Sequence, residues 1–122
     1  MKLSQVFIFN TLAALSYAAG FLIIPATIMS WHGITADAYT ILMARYFGVA
    51  LLGMGLVTWS ARNAPESDVR DGIITGLAIS AVVGFALSLQ STLAGQMNAL
   101  GWLPVVVYLL LFVGFGYFRF IK

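Results

Sequence analysis

The chain has 122 residues, of which 61% are hydrophobic and 8% are charged, and its formal net charge is +2. A soluble globular domain is about 45–50% apolar and about a quarter charged, so this composition excludes an ordinary soluble protein and indicates one that lies in a bilayer. The sequence has no cysteine, which excludes thiol redox chemistry, thiolate metal sites and disulfides.

Four long apolar runs follow one another at about residues 3–24, 38–60, 69–89 and 100–120. Since roughly 20 apolar residues span a hydrocarbon core of about 30 Å, each run predicts a transmembrane helix. None of the runs alternates between apolar and polar residues as the strands of a membrane barrel do. The sequence therefore predicts an all-α, integral membrane four-helix bundle with up-down-up-down topology, in a single transmembrane domain covering residues 1–122.

The connections between the runs carry start and stop signals. Pro25 should end or kink the first helix, because it lacks a backbone donor and clashes with the preceding turn. Asp37 suits the N-cap of the second helix. Residues 62–68 form the most polar stretch of the chain and predict a turn, and residues 90–99 predict a polar, uncharged connection.

Basic residues predict the orientation of the bundle. Lys2, Arg62, Arg70, Arg119 and Lys122 all fall at one end of the predicted spans, and the two loops at the other end contain no Lys or Arg. Cytoplasmic loops carry an excess of these residues, so both termini are predicted to be cytoplasmic. The basic residues are thus explained as topology signals, and we expect no nucleic-acid partner.

Small residues recur at helical spacing in the second and third runs. Lipid tails are as apolar as leucine, so helices in a bilayer associate through close packing of small residues and through polar contacts. The predicted helix-packing residues are Gly48, Gly55, Gly72, Gly76, Ser80, Gly84 and Ser88. Two interpretations stay open, which are packing inside the bundle and the seam of a homodimer.

Arg45 is a charged residue well inside a predicted span, around 10 Å below the start of its helix at a rise of about 1.5 Å per residue. A charge at this depth must snorkel or be paired. Two interpretations of Arg45 stay open. In the first, its side chain snorkels or makes a hydrogen bond and locks the bundle. In the second, it provides a positive charge in an outward-facing pocket for an anion or an anionic headgroup. Tyr46, Trp102 and Asp37 are the other predicted ligand-binding residues of that pocket.

The remaining polar residues do not predict catalysis. Asn10 is predicted to make a hydrogen bond between helices. His32 is interpreted as a loop histidine, and with Asp37 it supplies too few ligands for a metal ion, so no metal site and no cofactor are predicted. The sequence shows no nucleophile–base pair, phosphate loop or dinucleotide fingerprint, and we predict that the protein is not an enzyme.

One pattern covers the first half of the chain. It consists of Gly20, Pro25, Gly33, the segment Ala-Arg-Tyr-Phe-Gly at 44–48, Leu52, Gly53 and Trp59. In this pattern the chain resembles small uncharacterised bacterial four-helix membrane proteins, distant relatives of the DoxX-like group. The resemblance implies a multi-pass protein of the bacterial inner (cytoplasmic) membrane. Some DoxX-like members are subunits associated with quinone-linked oxidoreductases, but no redox residue is carried over to this chain.

Short loops and few polar residues inside the spans favour a non-enzymatic accessory or assembly subunit, acting alone or as a homo-oligomer. Its expected partners are the lipid bilayer and a further membrane protein or a second copy. Two alternatives stay open. One is a small oligomeric transporter or channel in which Arg45 attracts an anion, and the other is a lipid- or quinone-binding protein with Arg45 in an outward-facing pocket.

Overall fold

The computed structural model describes residues 1–121; Lys122, one of the basic residues used to orient the bundle, lies outside them. The expectation of an all-helical chain is confirmed, because residues 1–121 contain no strand and form four helical spans long and apolar enough to cross a membrane. The elements are α1 (Leu3–Ile23), α2 (Pro25–Trp31), α3 (Ala38–Ala61), α4 (Asp68–Leu93) and α5 (Trp102–Gly116). A 3₁₀ turn at Ala99–Gly101 precedes α5, and a π-helical turn at Tyr117–Ile121 continues it.

Local signals fix most of the helix ends. Pro25 is the first residue of α2, where its missing N–H costs nothing. Asp37 is the N-cap of α3 as predicted: its carboxylate accepts a hydrogen bond from the Thr40 backbone N–H at 2.8 Å. The Thr40 hydroxyl and backbone N–H hold the pKa of the Asp37 carboxyl below its usual value. Ser67 caps α4 in the same way.

Helix α4 runs to Leu93 and so includes residues that the sequence analysis assigned to a connection. The polarity of Gln90 and Ser91 lowers hydropathy but does not stop a helix, and the Ser91 hydroxyl donates to the Leu87 carbonyl one turn back. The chain turns only at Gly95, whose φ of +77° lies in the left-handed region that glycine tolerates.

The long helices form two closely packed pairs, α1 with α3 and α4 with α5. Glycines permit both approaches. A Cβ at Gly55 would lie 2.6 Å from Leu15 Cδ2 of α1, and a Cβ at Gly84 would lie 2.6 Å from Tyr108 Cδ1 of α5. The pairs meet through α1 and α5, whereas α3 and α4 hardly touch.

The pairs are joined at what we call the terminal end, which carries the starts of α1 and α4 and the ends of α3 and α5. Phe7 and Phe115 are fully buried there, with their rings edge-on at a centroid distance of 5.4 Å. Val6 fills the space beside Gly114, where a Cβ would lie 2.8 Å from Val6 Cγ1. We call this cluster the terminal-end core; its buried members are Val6, Phe7, Ala61, Ile74, Ala78, Ala81, Leu111 and Phe115.

The opposite end, which we call the loop end, carries α2 and the connection that leads to α5. Asn98 joins the two: its backbone N–H donates to the His32 carbonyl at 3.0 Å, and its side-chain amide donates to the Trp31 carbonyl at 3.1 Å. Gly33, with φ +80°, lets Asn98 come close, since a Cβ there would lie 3.2 Å from Asn98 Cβ. We call Trp31, His32, Gly33 and Asn98 the loop clasp.

The predicted helix-packing residues divide into two groups. Gly48, Gly55, Gly84 and Ser88 lie inside the bundle, whereas Gly72, Gly76 and Ser80 are exposed on α4. The small residues of α4 recur every four positions, and in a helix of 3.6 residues per turn each step rotates by about 40° around the axis. The first and last residues of this row therefore face different directions. Packing within the bundle therefore accounts for only part of the row.

Gly84→Ala tests whether the close packing of α4 against α5 requires a glycine at position 84. Gly76→Ala on the same helix is the control. The new Cβ would overlap the rigid Tyr108 ring, so we expect Gly84→Ala to cost about 1–3 kcal/mol through overpacking. At Gly76 the Cβ would meet no heavy atom within 4 Å, so that variant should equal the wild type or gain up to ~1 kcal/mol of helix propensity. Thermal unfolding of the purified variants measures the difference, and equal stabilities would contradict this packing.

Candidate functional site

The two helix pairs enclose a cavity of about 480 Å³ between the terminal-end core and the loop clasp. This size falls within the range of about 300–1,000 Å³ that is usual for small-molecule sites. All four long helices contribute to its wall, which is mostly aliphatic, aromatic and methionine side chains. Representative wall residues are Ala14, Phe21, Met43, Phe47, Leu51, Leu87, Val107 and Leu111.

The cavity is elongated along the helix axes. On α1 its wall extends from Asn10 to Phe21, which corresponds to about 16 Å at a rise of 1.5 Å per residue. Leu111 belongs both to the wall and to the terminal-end core, so that core forms the floor. Met29, His32 and Met97, at the loop end, form the roof.

The side of the cavity is open where α3 and α4 stand apart. Met43 and Met54 of α3 contribute to the wall on one side of this gap, and Leu87 and Ser91 of α4 contribute on the other. A shallow groove of about 430 Å³ lies between α3 and α4 nearer the terminal end, and mostly apolar residues of the two helices and of their connection line it. Met43 and Phe47 of α3 and Leu87 of α4 line the cavity and are also exposed, so the cavity opens sideways between these two helices.

A buried polar cluster lies beside the floor. The Asn10 side-chain amide donates to the Thr58 hydroxyl at 3.3 Å, which confirms the predicted hydrogen bond between helices. The Thr58 hydroxyl also lies 2.8 Å from that of Thr11, and its one proton can be donated to the Met54 or the Gly55 carbonyl of its own helix. Asn10 and Thr58 are at most 1% exposed, and Asn10 lines the cavity. This cluster places a carboxamide against a cavity with a mostly apolar wall.

His32 lies in the turn that follows α2, and it is buried at the roof of the cavity, only 7% exposed. Its Nδ1 lies 2.9 Å from the Ile28 carbonyl oxygen, which can only accept, so Nδ1 carries a proton. In this tautomer Nε2 is an acceptor, and the Tyr17 hydroxyl donates a hydrogen bond to it at 3.2 Å. The sequence analysis missed this pair because α2 folds back on α1, and no local pattern links residues 15 positions apart.

The predicted ligand-binding residues lie elsewhere. Arg45, Tyr46, Trp102 and Asp37 are all exposed, and none of them lines the cavity. Ala44 lines it, and the next residue on a helix points about 100° away, which turns Arg45 to the outside of α3. The structure therefore does not join these residues to the cavity, and their role in binding stays a prediction.

Within residues 1–121, no hydrogen bond or ion pair involves Arg45, so the structure shows no polar contact through which it locks the bundle. An Arg at the centre of a membrane helix costs about 2.5–3.5 kcal/mol on insertion scales, and snorkelling reduces this cost. The exposure of Arg45 is compatible with snorkelling.

Within residues 1–121, no three His, Cys, Asp or Glu side chains are close enough together to hold a metal ion. No protein-family model matches the chain, and comparisons with curated proteins and with solved structures find no match.

Thr58→Val tests the polar cluster, because valine keeps the shape of threonine and removes its hydroxyl. We expect a double-mutant cycle with Asn10→Leu to give a coupling of about 0.5–2 kcal/mol, the range of hydrogen bonds between membrane helices. Ser60→Ala is the control on the same helix, since the exposed Ser60 hydroxyl donates only within α3. Additive effects of Thr58→Val and Asn10→Leu on thermal unfolding would show that the cluster does not act as a unit.

Proposed function

We propose that this chain is a multi-pass membrane protein that binds one lipid-soluble small molecule in the cavity between its helix pairs. One observation carries the proposal: a cavity with a mostly apolar wall lies among helices long enough to span a bilayer and opens sideways between two of them. A water-soluble ligand gains little from such a wall. A molecule dissolved in the bilayer can enter between α3 and α4 without crossing water.

The shape and polarity of the cavity restrict the ligand class. An elongated, largely apolar molecule suits a space of about 16 Å along α1. Few polar groups line this space, and they set the orientation of a ligand. The Asn10 carboxamide lies at the floor, and the Tyr17–His32 pair lies at the roof. We therefore propose an apolar chain or ring system with a single polar group as the ligand.

This proposal selects the lipid- or quinone-binding alternative and moves its site from Arg45 to the cavity. The membrane is proposed to be the bacterial inner membrane with both termini cytoplasmic, which the basic residues of the terminal end and the DoxX-like resemblance support. The non-enzymatic role follows from the sequence analysis. The anion-transport alternative stays a prediction, and the position of Arg45 outside the cavity does not favour it.

A second candidate function is the accessory or assembly subunit. The exposed part of the small-residue row favours it, because Cβ atoms at Gly72 and Gly76 would meet no heavy atom within 4 Å. Such a surface lets the backbone of another membrane helix approach closely. We propose a second copy of the chain or a partner membrane protein at this face of α4.

Ala44→Phe tests the cavity. A photoreactive fatty alcohol, cross-linked to the protein in vesicles, should label cavity residues of α1 and α5 in the wild type. Phenylalanine at position 44 fills part of the space, so we expect this labelling to fall several-fold. Val49→Phe is the matched control, because residue 49 lies on the same helix but is exposed outside the cavity. Equal labelling in both variants, with normal helical content, would refute binding in the cavity.

Gly76→Leu tests the assembly face, and Gly53→Leu is its control. Both glycines are exposed within long helices, and a Cβ would meet no heavy atom within 4 Å at either position. We expect Gly76→Leu to shift the protein, captured in native nanodiscs, to a smaller assembly in mass photometry, while Gly53→Leu leaves the assembly intact. A wild-type protein that is already a lone monomer would contradict the second candidate.

A further inference from the structure

Arg45 differs from the other arginines of residues 1–121 in having no protein partner. Arg62 donates to a backbone carbonyl and lies over an indole ring, Arg70 forms an ion pair, and Arg119 donates to a hydroxyl of α4. These three lie at or beside the terminal end, whereas Arg45 lies inside a span near the loop end. An ionisable residue within a span snorkels to the interface or pairs with an opposite charge, and for Arg45 such a charge has to come from outside residues 1–121.

The acidic residues of the chain do not meet this need. Asp37 is the one acid near the loop end, and its carboxylate is occupied by the Thr40 backbone N–H and hydroxyl as the cap of α3. The other acids, Glu66, Asp68 and Asp71, belong to the opposite end of α4 and its connection. An anion that pairs with Arg45 therefore has to come from outside residues 1–121.

The guanidinium of Arg45 can reach the depth of phospholipid phosphates. Arg45 follows Ala38, the first residue of α3, by about 10 Å along the helix. Exposed Trp31, Tyr39 and Trp102 mark the membrane interface at this end, since tryptophan and tyrosine concentrate there. The long arginine side chain can extend from the hydrocarbon toward this interface, so that the guanidinium lies near the headgroups.

The surroundings of Arg45 on α3 favour a lipid over a free anion. Leu42 and Val49, one turn before and one turn after it, are exposed apolar residues on the same side of the helix. An acyl chain can lie along them while the planar guanidinium donates two parallel hydrogen bonds to phosphate oxygens.

We propose that Arg45 binds the phosphate of one phospholipid on the outer surface of α3, in the leaflet at the loop end. The site is separate from the cavity, which Arg45 does not line. Its ligand class is a diacyl lipid with a phosphodiester group. The guanidinium recognises the phosphate, so the site accepts zwitterionic and anionic phospholipids and rejects lipids without phosphate.

The test is native mass spectrometry of the protein in nanodiscs containing phosphatidylglycerol, phosphatidylethanolamine and diacylglycerol in equal amounts. The wild type should retain one phospholipid of either kind beyond any cavity ligand, and no diacylglycerol at this site. We expect Arg45→Gln to reduce lipid retention about tenfold or more, because it removes one charge-assisted hydrogen-bonded pair. Arg45→Lys keeps the charge and should retain part of the lipid. Arg62→Gln controls for a general loss of positive charge and should retain the lipid.

Circular dichroism and size-exclusion chromatography check that each variant is folded, which we expect because Arg45 is exposed and has no hydrogen bond or ion pair within residues 1–121 that its loss would break. Equal lipid retention in the wild type and Arg45→Gln would overturn the proposal.

Displacement of the lipid by inorganic phosphate alone would assign the site to a free anion and also overturn the proposal. An oligomer that dissociates in Arg45→Gln without loss of lipid would identify a carboxylate of a second copy as the partner. Labelling of the cavity should be unchanged in Arg45→Gln, so this test is independent of the proposed function.

Discussion

The contact between the two helix pairs is the interaction on which the rest of the structure depends. At the terminal end, Phe7 and Val6 of α1 pack against Phe115 and Gly114 of α5, and all four long helices share one core. Lipid offers no hydrophobic driving force between helices, so these close fits and the hydrogen bonds of the loop clasp have to hold the pairs together. Because they act at the two ends, the space between the pairs stays open as the cavity.

The cavity follows from this arrangement without any special residue in its wall. Small side chains such as Ala13, Ala14 and Ala44 leave room there, and larger ones such as Phe47 and Tyr108 surround it. Its polar groups are held by hydrogen bonds to other parts of the protein, such as Asn10 to Thr58 and His32 to Tyr17. Such fixed groups restrict how a polar ligand group can be oriented, which is the usual arrangement of small-molecule sites.

The chain presents three surfaces of different chemistry to the membrane. The gap between α3 and α4 leads to the cavity, the exposed Gly72, Gly76 and Ser80 allow close approach of another helix, and the outer side of α3 carries Arg45. The proposed binding of a small molecule, assembly with a partner and anchoring of a phospholipid would use different surfaces. A single protein of 122 residues can therefore combine them without steric conflict.

The sequence by itself determined the features that depend on local composition and spacing. Apolar runs of about 20 residues, Pro25 and the Asp37 cap define the long helices and their starts, because span length and capping act within a few residues of the chain. Hydropathy placed the end of α4 too early, since a helix continues through polar residues until a residue such as Gly95 turns the chain.

Only the tertiary structure decided which helix faces meet. The rotation of α3 places Ala44 in the cavity and Arg45 outside it. The four-residue row of small residues turns around α4, so that Gly84 packs against Tyr108 of α5 while Gly76 stays exposed. The approach of Tyr17 to His32 depends on α2 folding back across α1. Each of these outcomes depends on packing between residues distant in sequence. Apolar runs that are hydrophobic all round carry no periodicity from which that packing could be read.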